Sequence, residues 1–170
     1  MDTHAGPRGP GNMHAETPRI HDAGVIAFLQ FRMTPDEQGW RRFRPVLLPV
    51  SSVPIGELRV HPDLVDRLVT LEADGPQRLR MLMGAAVLVA ESGVIYALAY
   101  SQRFLAVRWN DDGDPALLAS VNDPTDLHQL AERIATLGDG WIVAEPWRTA
   151  SLASLKKVLA HSRSIARGKD

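Results

Sequence analysis

The residues of this chain that could carry out acid–base chemistry are few and scattered. His128 and Glu132 lie four residues apart on a predicted helix, and a histidine beside a carboxylate can act as a general base. Both lie away from the apolar stripe of that helix, which favours a solvent-exposed pair instead. Glu145 is better placed, at the end of a predicted strand, but a single carboxylate specifies no reaction. The sequence therefore indicates no catalytic residue.

The motifs that bind cofactors and metals are also missing. The sequence has no glycine-rich phosphate loop, nucleophile elbow or kinase signature. It has no HExxH pair, and it contains no cysteine, which excludes disulfides, cysteine-ligated zinc, iron–sulfur clusters and thiol catalysis. The acidic turn at 110–114 lacks the spacing and the closing glutamate of a calcium loop, and its Asp-Gly step is common in hairpin turns. We therefore predict no cofactor and no metal ion.

Two segments combine arginine with tryptophan. The first contains Trp40, Arg42 and Arg44, and the second contains Trp147 and Arg148 just after the last predicted strand. Tryptophan and arginine are among the residues that most often anchor protein interfaces. We therefore predict that these five residues include contacts to another protein or to a second copy of the chain. The alternative is that both tryptophans are core or rim residues.

Basic residues raise two further interpretations. The segment 40–44 combines arginines with aromatic residues, and it could hold phosphates while its aromatic rings stack on nucleobases. Arginines that protect a sheet edge from aggregation explain the same pattern, and we favour this second interpretation. The last predicted helix has a basic face, where a solvated surface is the first interpretation and an acidic partner the second, because the helix dipole favours positive charge near a C-terminus. The members of this face are Lys156, Lys157, His161, Arg163, Arg167 and Lys169.

The elements that must position these residues mix strands and helices. Apolar alternation predicts strands at 25–33, 43–52, 94–100, 104–109, 117–121 and 141–145, and helical spacing predicts helices at 60–73, 123–137 and 152–166. Residues 77–91 are ambiguous, and we prefer a helix to Met83 with a strand at 85–91 over one continuous helix. Pro45 and Pro49 cannot donate ladder hydrogen bonds, so 43–52 should be an edge strand or an irregular extended segment.

Turn signals join four of these strands, beginning with 85–91, into a central antiparallel meander. The predicted fold class is α+β, a mainly antiparallel sheet with two or three amphipathic helices packed on one face. The residues that this arrangement should bury include Leu98, Leu105, Val107, Leu130, Ile134, Leu155 and Leu159.

Composition places the folded part of the chain in one domain. Residues 1–20 are rich in glycine, proline and polar residues and should form a disordered tail, whereas 21–170 should form a single domain. The formal net charge of −1 gives no global attraction to nucleic acid or anionic lipid. No apolar run approaches the ~20 residues of a membrane span, and the N-terminus has no secretory signal pattern, so we expect a cytoplasmic protein.

The functional expectation follows from the two segments that combine arginine with tryptophan and from the missing catalytic motifs. We expect a non-enzymatic protein-interaction domain of the adaptor, chaperone or immunity type, with a homodimer as one form of that interaction. The first alternative is a small-molecule enzyme with a cleft over the sheet, using Glu145, His128, Tyr96 or Tyr100. The second is a nucleic-acid binder that uses the segment 40–44.

Overall fold

The chain folds into a six-stranded antiparallel sheet with helices, in a computed structural model that describes residues 22–31, 46–72, 78–121, 137–147 and 152–168. The elements in chain order are α1 (Ala23–Phe31), β1 (Leu47–Leu48), α2 (Pro62–Leu71), β2 (Leu79–Leu82), β3 (Ala85–Val89), β4 (Ile95–Tyr100), β5 (Phe104–Arg108), α3 (Pro115–Val121), β6 (Trp141–Ala144) and α4 (Leu152–Arg167). Two short 3-10 turns, Val50–Ser52 and Ile55–Glu57, precede α2. The predicted α+β class is confirmed.

The strands follow one another across the sheet in chain order, so every neighbouring pair is antiparallel. The predicted meander is therefore confirmed for β3, β4 and β5, and the antiparallel sheet extends beyond them on both sides. A bulge interrupts the ladder between β3 and β4, where Leu88 pairs with Ala97 and Val89 pairs with Ile95, so that Tyr96 is the extra residue.

The stretch before β3 is a strand, so the predicted helix ending near Met83 is wrong, as is the continuous-helix alternative. Leu79–Leu82 pairs with Ala85–Val89 through a two-residue turn in which Met83 and Gly84 both have positive φ, 51° and 83°. Two consecutive residues in this conformation are the signature of the tight turns that match strand twist. Because both faces of β2 are covered, its apolar residues do not have to alternate with polar ones. Their helical spacing is therefore a coincidence.

The segment predicted as a strand at 25–33 is instead the helix α1, as far as residue 31. Nearly all of its residues are apolar, so alternation and helical spacing are both satisfied and the pattern does not decide between them. Val25, Phe28 and Leu29, at helical spacing, are at most 1% exposed and pack on the sheet. The helix therefore buries one face through i, i+3, i+4 contacts.

Helices cover both faces of the sheet, rather than one face as predicted. α1 packs on the face that carries Val87, Leu98 and Ala106. The longer helices α2 and α4 pack on the opposite face, against side chains that alternate with these along the strands. Both faces of the central strands are therefore apolar, which is why their sequences show almost no polar alternation.

The run at 117–121, predicted as a strand, belongs to the helix α3. Pro115 takes the first helical position, where its missing N–H costs nothing. The Oδ1 atom of Asp114 accepts a hydrogen bond from the backbone N–H of Ala116 at 2.9 Å. The Asp-Pro pair thus begins a helix instead of closing a hairpin.

The predicted helices at 60–73 and 152–166 are confirmed as α2 and α4. His61 caps α2 by accepting a hydrogen bond from the N–H of Asp63, and Pro62 occupies its first turn. The inner face of α4 is formed by Leu155, Val158, Leu159, Ser162 and Ala166, all buried. Ser162 is satisfied there because its hydroxyl bonds to the carbonyls of Arg108 and Val158.

β1 is an edge strand, as its prolines predicted, although among the described residues 46–52 only Leu47–Leu48 pairs. The N–H of Val89 bonds to the carbonyl of Arg78, so alternate residues of β2 face β3, while Met81 faces β1 and pairs with Leu48. The backbone groups of Leu47 and Pro49 therefore point away from the sheet. Pro49 has no N–H, and its carbonyl already accepts from the N–H and hydroxyl of Ser52, at 3.1 and 2.7 Å.

Three expectations fall largely outside the described residues. These are the tail at 1–20, the helix at 123–137 and, with that helix, the buried positions Leu130 and Ile134. Leu137, at the end of that helical prediction, is described and is 5% exposed. The remaining predicted core positions, Leu98, Leu105, Val107, Leu155 and Leu159, are all buried.

Candidate functional site

The end of β6 meets the turn between β4 and β5, and this junction holds two residues singled out in the sequence, Glu145 and Trp147. The turn begins at Ser101, whose φ is 58°, and continues through Gln102 and Arg103. The indole N–H of Trp147 donates a hydrogen bond to the carbonyl of Gln102 at 3.0 Å. Two segments that lie 45 residues apart in the chain are thereby tied together.

Glu145 is the buried charge at the centre of this junction, with a side chain that is 4% exposed. Its Oε2 atom accepts a hydrogen bond from Arg103 at 3.1 Å, and its Oε1 atom accepts from the backbone N–H of Trp147 at 3.0 Å. Its own backbone N–H donates to the carbonyl of Val121 at 2.7 Å. Both carboxylate oxygens accept hydrogen bonds from the protein, so this carboxylate ties Arg103 to the chain at Trp147.

Arg67 adds a third segment to the junction. Its Nε–H donates to the carbonyl of Pro146 at 2.9 Å, which fixes the chain between Glu145 and Trp147 against α2. The parallel bridge between Val60 and Ser101 joins the start of α2 to the same turn. The junction is therefore held by hydrogen bonds from α2, from the β4–β5 turn and from β6.

We call the exposed part of this junction the Trp147 surface, formed by Trp147, Arg103 and Gln102. Trp147 is half-buried and packs against the core cluster beneath α2 and α4. The side chain of Arg103 is 67% exposed even though one of its nitrogens is bound to buried Glu145. The sequence alone did not identify Arg103, although a carboxylate that must be buried at a strand end signals that a cation lies nearby.

The structure describes one of the five predicted interface residues, Trp147. The others, Trp40, Arg42, Arg44 and Arg148, lie outside the described residues, and so does the candidate pair of His128 and Glu132. Trp147 lies at a rim, half-buried against the core, where a large amphipathic side chain keeps one side available for contact.

The two tyrosines proposed for an enzymatic cleft lie on opposite faces of the sheet. The hydroxyl of Tyr96 donates to Glu72 at 2.8 Å on the α2 side. The ring of Tyr100 lies edge-on to Phe28 of α1, with 6.2 Å between ring centroids. The fold therefore does not bring these two hydroxyls to a common site.

A buried ion pair joins α1 to the sheet. Arg108 donates to Asp22 through Nη2 and to the carbonyl of Ile95 through Nε, the latter at 2.6 Å. The other oxygen of Asp22 accepts from the backbone N–H of Ile95 at 2.6 Å. The guanidinium also lies 4.5 Å from the ring centroid of Trp141. Burial lowers the pKa of Arg108, and the charge of Asp22 opposes that shift.

A second charged cluster surrounds Glu91 in the turn between β3 and β4. Its carboxylate accepts hydrogen bonds from Arg78, Arg163 and Arg167, at 2.6 to 3.2 Å. The bond from Arg167, followed by those from its own backbone and from Arg78, lowers the pKa of Glu91 to about 2. The turn is fastened to the end of α4 by these bonds and by a bond from Ser92 to the carbonyl of Ala166.

A small pocket lies beside the sheet edge, but its size does not suit a substrate. Its volume is about 40 Å³, and its lining includes Leu48, Val53, Met81 and Met83. Sites for drug-sized ligands have volumes of about 300–1,000 Å³. Within the described ranges, no three histidine, aspartate or glutamate side chains are grouped so as to hold a metal ion. No helix in those ranges has the length and apolarity to cross a membrane.

Comparison with known proteins returned no match, whether to a family model, to a curated protein or to a solved structure.

Proposed function

We propose that this chain is a non-enzymatic protein-interaction domain, of the adaptor, chaperone or immunity-type class, that contacts its partner through the Trp147 surface. The observation that carries this proposal is the way Trp147 and Arg103 are held. Each is fixed by a hydrogen bond to a buried or backbone group, yet each keeps part of its side chain open to solvent.

Fixed side chains favour binding because less conformational entropy is lost when the partner arrives. Ordering a long side chain at an interface costs about 0.5–1.5 kcal/mol. The bond to Glu145 already restricts Arg103, and the bond to Gln102 already restricts Trp147. Part of this entropy is therefore lost on folding and not on binding. Tryptophan and arginine are among the residue types most enriched at the few positions that dominate measured interface energies.

The enzymatic alternative has less support. Glu145 has both carboxylate oxygens engaged, and Tyr96 and Tyr100 face opposite sides of the sheet. The nucleic-acid alternative depends on the segment 40–44, which lies outside the described residues.

The test is affinity capture from a lysate of the source cells with the full chain and with Arg103→Gln, whose amide can still donate to Glu145. Trp147→Phe is the second variant, because a phenyl ring keeps the packing but loses the indole N–H. The matched control is Arg167→Ala, which removes a half-exposed arginine beside Glu91 at the far end of β4. Circular dichroism must first show that each variant is folded.

We expect the wild type and Arg167→Ala to capture the same proteins, identified by mass spectrometry, and both surface variants to lose them. Equal capture by folded Arg103→Gln and Trp147→Phe would overturn the assignment of this surface. Enrichment of nucleic acid without protein would instead favour the nucleic-acid alternative.

A further inference from the structure

Two adjacent lysines on the outer face of α4 have no structural explanation within their own helix. Lys156 and Lys157 are both exposed, and they are the fifth and sixth residues of a 16-residue helix. The helix dipole favours positive charge only in the last turn of a helix, so it does not account for them. α4 contains no acidic residue, and within the described part of the chain neither lysine forms an ion pair.

An acidic turn with the opposite charge lies between β5 and α3. Asp111, Asp112 and Asp114 are exposed, and in the described ranges none of them forms an ion pair. The turn has a defined shape because Gly113 lies against the ring of Trp109. A Cβ atom at Gly113 would lie 2.2 Å from that ring, so another residue there would displace it.

The acidic turn and the lysine pair belong to the same surface of the molecule. The Oδ1 atom of Asn110, which begins the turn, accepts a hydrogen bond from the Nε2–H of His161 at 2.8 Å. His161 lies four residues after Lys157, just over one turn of helix and about 6 Å along the axis, so the two share a face of α4. The acidic turn therefore lies beside the helix face that carries Lys157, and Lys156 is the adjacent residue in the helix.

We propose that this chain forms a homodimer with two-fold symmetry, in which the lysine pair of each copy faces the acidic turn of the other. In a two-fold interface the same patch is used by both copies, so each contact occurs twice. A patch with a positive and a negative half, side by side, is complementary to itself under that symmetry. Each such exposed ion pair is weak, so the dimer should form reversibly and should depend on ionic strength.

This dimer uses none of the residues of the Trp147 surface, so either proposal can fail alone. Asp63 and Asp66 are exposed charges on α2, outside the proposed pairing. Reversing these two charges is the control for the test, because it changes the charge on the same side of the molecule but leaves the residues of the proposed pairing unchanged.

The test is sedimentation velocity of the full chain from micromolar to near-millimolar concentration. Two charge-reversed chains are compared with the wild type: one carries Lys156→Glu and Lys157→Glu, and the other carries Asp111→Lys and Asp112→Lys. Each alone presents two patches of one sign, so each should be monomeric. Mixed in equal amounts, they present opposite patches at both contacts and should form a heterodimer.

The wild type should dimerise, and raising the salt from about 0.05 to 0.5 M should weaken it about tenfold, because exposed charges are screened beyond ~10 Å at 0.1 M salt. The control carrying Asp63→Lys and Asp66→Lys should dimerise like the wild type. A wild type that stays monomeric at the highest concentration overturns the proposal. So does dimerisation of either reversed chain alone, or a mixture of the two, shown to be folded, that remains monomeric.

Discussion

At the scale of single residues, buried charges in this protein are used to join segments that are distant in the chain. Asp22 and Arg108 are each 7% exposed in their side chains and lie 86 residues apart. Together they hold the start of α1 against the bulge at Ile95. The N–H of Ile95 donates to Asp22, and the carbonyl of Ile95 accepts from Arg108. Both backbone groups of Ile95 are therefore satisfied.

Removing one partner of this pair should be costly. In Arg108→Met, buried Asp22 loses its cation, and breaking a buried pair in this way costs about 3–5 kcal/mol. The free energy of unfolding, measured by urea titration with circular dichroism, checks this.

The double variant Arg108→Met with Asp22→Asn is the control, since an asparagine oxygen can still accept from the N–H of Ile95. We expect it to be more stable than Arg108→Met alone. If Arg108→Met alone lowers the free energy of unfolding by less than about 1 kcal/mol, the pair is not shielded from water.

Sequence reasoning at this scale identified Glu145 and Trp147 but missed their partners. Glu145 stands at a strand end followed by Pro146, a pattern that is visible locally. Arg103 lies 42 residues earlier and Gln102 lies 45 residues before Trp147, so the contacts depend on which strands are neighbours. Local patterns do not contain that information.

At the scale of elements, turns were more informative than apolar periodicity. The strands β4, β5 and β6 and the helices α2 and α4 were predicted because polar turns or capping residues bound them. The predictions for α1 and β2 were wrong because apolar residues occupy nearly every position of both segments. A sheet covered on both faces also removes the alternation that distinguishes a strand from a helix. At α3, the pair Asp114-Pro115, which begins the helix, was interpreted as part of a turn.

The inner face of α4 can be tested by truncating one side chain. Leu155 is 1% exposed and packs in the cluster between α4 and the sheet, so Leu155→Ala should lower the free energy of unfolding by about 2–5 kcal/mol. Denaturant unfolding followed by circular dichroism measures this loss.

Ile55→Ala is the matched control, because it also shortens a branched aliphatic side chain but at a position that is 81% exposed. It should change the free energy of unfolding by no more than about 0.5 kcal/mol. Equal losses in the two variants would mean that the packing of α4 on the sheet is not as described.

At the scale of the whole molecule, the described core divides into two layers separated by the sheet. One layer lies beneath α2 and α4, and the other lies beneath α1. The sheet contributes to both, so its central strands are buried on both sides and should be among the last segments to exchange backbone hydrogens.

The proposed domain boundary near residue 21 can be tested by shortening the chain. A chain that begins at His21 keeps Asp22 and its bond to Arg108, and it loses only the segment predicted to form a tail. Its thermal midpoint should lie within about 2 °C of the full chain, since 1 kcal/mol corresponds to about 2–4 °C at this size. A larger drop would show that residues 1–20 contribute to the fold.

The geometry of the outermost strand also limits how copies of this protein can accumulate. Leu47 offers outward backbone groups, but at Pro49 the nitrogen carries no hydrogen and the carbonyl is already bound to Ser52. A strand laid alongside Leu47 would find the hydrogen-bonding ladder ended at Pro49. Fibrillar growth by stacking strand upon strand needs an unbroken row of such groups, so this edge is a poor seed for amyloid.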